Sequence, residues 1–206
     1  MLTDVIGMSE QERYDLIDVE YDALRRSQEG RAVGIVSQHE GERLWDATLT
    51  AFIQGNWVAV VLCARATCER TPAAPIYNLF SIPEPPKNWD RWGLGALVKY
   101  CRDERLVEDG LLNEVAVLCE ERKPYGHWRG PLEDGALLKV AMDAHEQGDR
   151  RPPDAIIEEH LARLAHRSTV TAMRVHFGDI IDPAKHERDA FGQRRNTGAK
   201  GTNESG

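Results

Sequence analysis

Cysteine is scarce in this sequence: Cys63, Cys68, Cys101 and Cys119 are the four in 206 residues. No two of them form a Cys-x-x-Cys pair, so no paired-cysteine zinc framework can be read. They read as small buried hydrophobes held reduced. Long apolar runs are missing too. The longest, Trp57 to Ala64, falls well short of the roughly 20 residues a membrane-spanning helix needs. The N-terminus has neither the basic start nor the apolar stretch of a secretory signal. The expected location is the cytoplasm, with no membrane partner.

The familiar ligand-cradling motifs are absent. Gly93-Leu94-Gly95 lacks the third glycine of a dinucleotide loop and does not follow a strand. There is no phosphate loop and no Gly-x-Ser-x-Gly elbow. His160 and His166 are six positions apart, whereas two metal ligands on one helix face stand four apart. Each reads as a surface or helix-packing side chain. No metal and no cofactor is expected. The net charge of −8 excludes an extended footprint for duplex DNA, but leaves room for a small basic pocket, which needs only a few residues of local sign.

What is present is ordinary globular material, 41 % hydrophobic and 29 % charged, in a length that suits one domain with appendages. The apolar spacing is helical nearly throughout. Ser9 with Glu12 reads as a capping box, opening a helix with Tyr14, Ile17, Tyr21 and Leu24 on one face. It should fade near Gly30, and Ala32 to Val36 is a short strand or a packed loop.

A second helix is expected over about Glu42 to Gln54, stopped by Gly55. Asn56 then caps a third from Trp57 to about Arg70, apolar nearly all round and so expected at the centre of a bundle. Pro72 and Pro75 should break or kink it. Further helices are expected over Trp92 to Asp103 and Leu111 to Arg122, with Asp109-Gly110 as a turn between them. Leu132 to Gln147 is the next, closed by Gly148. The last starts at Pro152-Pro153-Asp154, with Asp154 as N-cap, and runs to about Phe177. The fold class is therefore all-α, a compact helical bundle. From Lys185 onwards the chain is polar and expected to be disordered.

The segment from Glu120 to Arg129 concentrates chemistry. Arg122 ends a helix, His127 follows after four residues, and Lys123 and Arg129 add positive charge. Carbonyls at a helix C-terminus favour cations and would keep His127 protonated. The plain alternative is that these cations are helix caps.

The order of elements resembles the HEPN superfamily of small helical domains. Leu49 to Glu69 is similar to that family's paired core helices, with a glycine, Gly55, between them and a glutamate, Glu69, late in the second. Arg122 and His127 fall where the family carries its Arg-x4–6-His motif. The resemblance covers about Gly41 to Gln147. It implies residues 1–40 as an N-terminal helix and connector, 41–182 as the HEPN-like domain with its C-terminal helix, and 183–206 as a disordered tail.

For function, the resemblance implies a metal-independent endoribonuclease whose homodimer cleft brings Arg122 and His127 to RNA, in a toxin–antitoxin or defence role. An antitoxin or another protein would be its partner. His127 would move the proton at the 2′-hydroxyl or leaving oxygen, and Arg122 would stabilise the phosphate. The products would carry a 2′,3′-cyclic phosphate. Lys123, Tyr125 and Arg129 would hold neighbouring phosphates or stack a base, and Glu69 would orient a cation of the site; the plainer reading of Glu69 is an ion pair on the helix surface. The chain departs from the family at Lys123-Pro124, where active members carry a small polar residue or histidine after the arginine. A non-catalytic binding or sensing module, and a purely structural helical protein, stay open beside the nuclease.

Overall fold

The computed structural model describes residues 5–27, 39–78, 87–88, 91–103, 107, 109–121, 125 and 130–177. Among these residues there are seven helices and no strand: α1 (Glu10–Ser27), α2 (His39–Ile53), α3 (Trp57–Asn78), α4 (Leu94–Asp103), α5 (Asp109–Glu121), α6 (Leu137–Glu146) and α7 (Pro153–Phe177). The segments Ala32 to Val36 and 178–206 lie outside the described residues.

Local chemistry accounts for the helix ends. At Ser9 the capping box closes in both directions. The Ser9 amide donates to the Glu12 carboxylate at 2.7 Å, and the Glu12 amide donates to Ser9 Oγ at 3.3 Å. The α2–α3 corner is two residues of turn followed by a cap. Gly55 takes φ +75°, its N–H donates to Phe52 O, and the Asn56 N–H donates to Ala51 O at 2.9 Å. That pair of bonds is a Schellman closure, and only glycine enters the left-handed region at no steric cost. Asn56 Oδ1 then accepts from the Ala59 N–H at 3.4 Å and starts α3. Gly148 repeats the closure after α6, with Asp149 N donating to Ala144 O.

The two longest helices, α3 and α7, form the centre, and α2 packs along α3. Their buried faces are built of small residues at helical spacing: Ala64, Thr67 and Cys68 on α3, and Ala162, Ala165, Ser168, Thr169 and Ala172 on α7. Short side chains let the backbones approach closely. Three buried threonine hydroxyls return to their own helix: Thr48 donates to Leu44 O, Thr67 to Cys63 O and Thr169 to Ala165 O. Larger side chains, Phe52, Trp57, Leu94, Leu118 and Met173, fill the remaining core. The faces expected to turn inward on α4 (Leu94, Leu97, Val98, Cys101) are all buried. The four cysteines are free thiols, two of them buried. No described helix is long and apolar enough to cross a membrane.

Several boundaries differ from the sequence reading. Helix α3 is not broken at Pro72 or Pro75 but continues to Asn78; a proline inside a helix costs about 3 kcal/mol, and the packing of α3 against α2, α4, α5 and α7 outweighs it. Asp109-Gly110 is not a turn but the first two residues of α5, where the aspartate suits the positive helix end. Leu132 to Ala136 is not helical; Gly135 sits at φ +82° and holds a turn closed by Ala136 N–H to Glu133 O. Asp154 is not the N-cap: α7 begins at Pro153, and the carbonyl of Pro152 receives the Ala155 and Ile156 amides.

Helix α1 is stapled to the α2–α3 corner by Arg13. This arginine is only 8 % exposed. Its Nε donates to Ile53 O at 2.7 Å, Nη1 donates to Met8 O, and the guanidinium lies 5.7 Å from the centroid of the Trp57 ring. Trp57 in turn donates through Nε1 to the Glu158 carboxylate on α7 at 2.6 Å.

Candidate functional site

The expected site residues fare unequally. Arg122, Lys123, His127 and Arg129 lie outside the described residues. Helix α5 is described to Glu121. Tyr125 is half-buried and packs against the core. Glu69 pairs with a cation of its own helix: its Oε2 is 3.1 Å from Arg65 Nη2, one turn away on α3, with both side chains mostly buried. Among the described residues no group of three or more histidine, cysteine, aspartate or glutamate side chains is placed to hold a metal ion.

A different set of residues forms a groove. Helices α1, α5 and α7 line an open groove of about 450 Å³, within the ordinary size of small-molecule sites. Helix α7 supplies one wall: His166, Arg167, Ser168, Val170, Thr171 and Arg174. Helix α5 contributes Glu114, Val117 and Leu118, and α1 contributes Glu20. The wall on α7 follows from spacing, since positions 167, 170, 171 and 174 recur at three and four and share a face. The rest of that helix turns Ala162, Ala165, Thr169 and Ala172 into the core.

Charge in the groove comes in two places. Arg174 donates through Nη1 to the Glu114 carboxylate, an ion pair joining residues sixty positions apart. His166 Nε2 stands 3.8 Å from Glu20 Oε1, while its ring rests 5.9 Å from that of Phe52. Burial pushes the His166 imidazole below its usual range and Glu20 only partly offsets this. The imidazole is therefore neutral near pH 7. His160, behind it on α7, is lowered as well, by burial first and then by Arg163 and Arg167.

Two polar atoms at the groove lack partners. Ser168 is 1 % exposed, and its Oγ makes no hydrogen bond, unlike Thr169 beside it. His166 Nε2 is likewise buried without one. A buried hydroxyl left unsatisfied costs on the order of 1–3 kcal/mol. Between the charged ends the lining is apolar: Leu118 is buried, and Val117 stays 45 % exposed on a helix whose other valine, Val115, is in the core.

Sequence reading missed the groove because its walls come from three distant segments. One signal was available. Glu114 and Val117 sit outside the inward face of α5 (Leu111, Val115, Leu118), and an exposed valine beside a charged residue asks for a neighbour. No family model, no curated protein and no solved structure matches this chain.

Proposed function

We propose that this chain is a helical binding module that takes a small molecule into the groove between α1, α5 and α7. The observation that carries this reading is the combination, in one groove of about 450 Å³, of an apolar floor and charged groups from three helices. Convergent polar groups over an apolar lining are what fix the orientation of a small ligand. A cavity of this size fits a metabolite and is too small for a docked helix.

The test is a melting-temperature screen of wild type and Val117→Trp against a panel of charged metabolites. Compounds that raise the melting temperature of wild type and not of Val117→Trp support the reading. A panel in which every stabilising compound acts equally on both proteins contradicts it.

A second reading has its own support. Helix α5 is described to Glu121, the residue before Arg122 in the chain, and Tyr125, between Arg122 and His127 in sequence, is seated on the core. The short Gly55-Asn56 corner joining α2 to α3 is what the HEPN resemblance leads one to expect. On this reading the chain is HEPN-like and acts as a homodimer, a metal-independent ribonuclease in a toxin–antitoxin or defence role, with Arg122 and His127 at its cleft. Cleavage of tRNA or total RNA in chelator, absent in His127→Ala, supports it. Intact RNA after prolonged incubation with a confirmed dimer rules it out and leaves the binding reading alone.

A further inference from the structure

We propose that the ligand of the α1–α5–α7 groove is dipolar, with a cationic end at Glu20 and an acidic end at Arg174, joined by an apolar chain. This deepens the binding reading and rests on it. His166 and Arg174 are eight residues apart, about 12 Å along a helix rising 1.5 Å per residue. Glu20 of α1 faces the first of them and Glu114 of α5 pairs with the second. The groove thus has two separated polar ends, with Val117 and Val170 lining the stretch between.

The signs decide the class of ligand. Glu20 and Glu114 carry two negative charges, and Arg167 and Arg174 carry two positive ones. A simple anion meets two carboxylates in this groove and a simple cation meets two guanidiniums, so neither has a net attraction. A dipolar molecule gains at both ends. At the α1 end His166 is neutral, its Nε2 without a hydrogen bond, so it does not cancel the charge of Glu20 and an ammonium can. At the far end one Arg174 nitrogen is taken up by Glu114, but a guanidinium has five N–H donors, and a planar fork suits a carboxylate or phosphate.

The experiment titrates the full chain by calorimetry with three probes: ω-aminooctanoic acid, octanoic acid and octylamine. The first carries both charges across an eight-carbon chain, and the others carry one each. We expect ω-aminooctanoic acid to bind at least about tenfold more tightly than either single-charge probe. Glu20→Gln and Arg174→Gln should each reduce it to the level of the probe lacking that charge. Since either substitution could unfold the chain, the wild-type titration is repeated by NMR, where the methyl groups of Val117 and Val170 should shift with the dipolar probe. Equal or tighter binding of octanoic acid or octylamine overturns the proposal, as does no binding of ω-aminooctanoic acid. In either case the metabolite screen still decides separately whether the groove binds anything.

Discussion

Arg13 Nε donates to the carbonyl of Ile53 at 2.7 Å, across forty positions of sequence. Ile53 is the last residue of α2, and its carbonyl is among those a helix end leaves without an intrahelical partner. One buried guanidinium from α1 therefore closes α2, holds Met8 O and covers Trp57. Arg13→Ala leaves two carbonyls and an indole face uncovered. It should lower unfolding stability by about 3 kcal/mol, read as a shift of the urea midpoint at unchanged slope. Arg13→Lys should recover only part of this, because a single ammonium cannot span both carbonyls and the ring. A change within about 0.5 kcal/mol for Arg13→Ala would show that α1 contributes little to the fold.

Gly55 supports the same corner by conformation. A Cβ there meets only ordinary contacts, the nearest at 3.6 Å from Arg13 Nη2 and Trp57. The cost of Gly55→Ala thus comes from φ +75° and should be about 1 kcal/mol. Gly93→Ala, where a Cβ meets nothing within 4 Å, should leave the melting temperature nearly unchanged. Equal effects at the two positions would contradict the left-handed closure.

Stability should fall as pH drops through the histidine range. His160, His166 and His176 all have imidazoles held below their ordinary value, chiefly by burial. In the unfolded chain they take up protons at the ordinary pKa, near 6.5. In that window the unfolded state binds more protons than the native state, so stability rises with pH and is lost on acidification. Replacing His176 tests the sign. It is 2 % exposed, its Nδ1 is buried without a partner, and its ring stacks on Trp45 at 5.7 Å. His176→Phe should keep the packing and flatten the dependence of the urea midpoint between about pH 7.5 and 5.5. An unchanged slope would mean that His176 does not report burial.

The thiols should separate by burial under native conditions. Cys101 is buried, and its thiol is pushed up to about 12; burial also raises Cys68 strongly and Cys63 less. Only the thiolate reacts with alkylating reagents. Cys63 should label with iodoacetamide near pH 8 ahead of Cys68 and Cys101, which label only after unfolding. Early labelling of Cys101 would contradict the inward packing of α4.

Much of this architecture was written locally in the chain. Ser9-Glu12, Gly55-Asn56 and Gly148 each specify a helix end through contacts within a few residues, and the inward face of α4 is set by spacing alone. Some misread positions are those where distant packing decides, and others turn on local chemistry that was misjudged. Pro72 and Pro75 look like breakers until the burial of α3 against its neighbours is counted. Leu132 looks apolar and inward, yet it is 56 % exposed on a turn that Gly135 dictates. Arg13 sits on a charged helix with no local sign of burial and is a buried staple. The groove was illegible for the same reason: Glu20, Glu114 and Arg174 meet only after three helices have packed. Of the residues singled out for chemistry, Glu69 makes the ion pair on its own helix that an arginine four positions before it suggests; the seat of Tyr125 on the core was not visible in sequence.

The central claim is that the groove between α1, α5 and α7 is where this protein binds. The most direct measurement is a methyl NMR titration of the wild type with a compound that raises its melting temperature. The account predicts shifts concentrated at Val117, Leu118 and Val170, with the exposed Leu138 and Met142 of α6 unmoved. Shifts centred on α6, with the groove methyls silent, would contradict it.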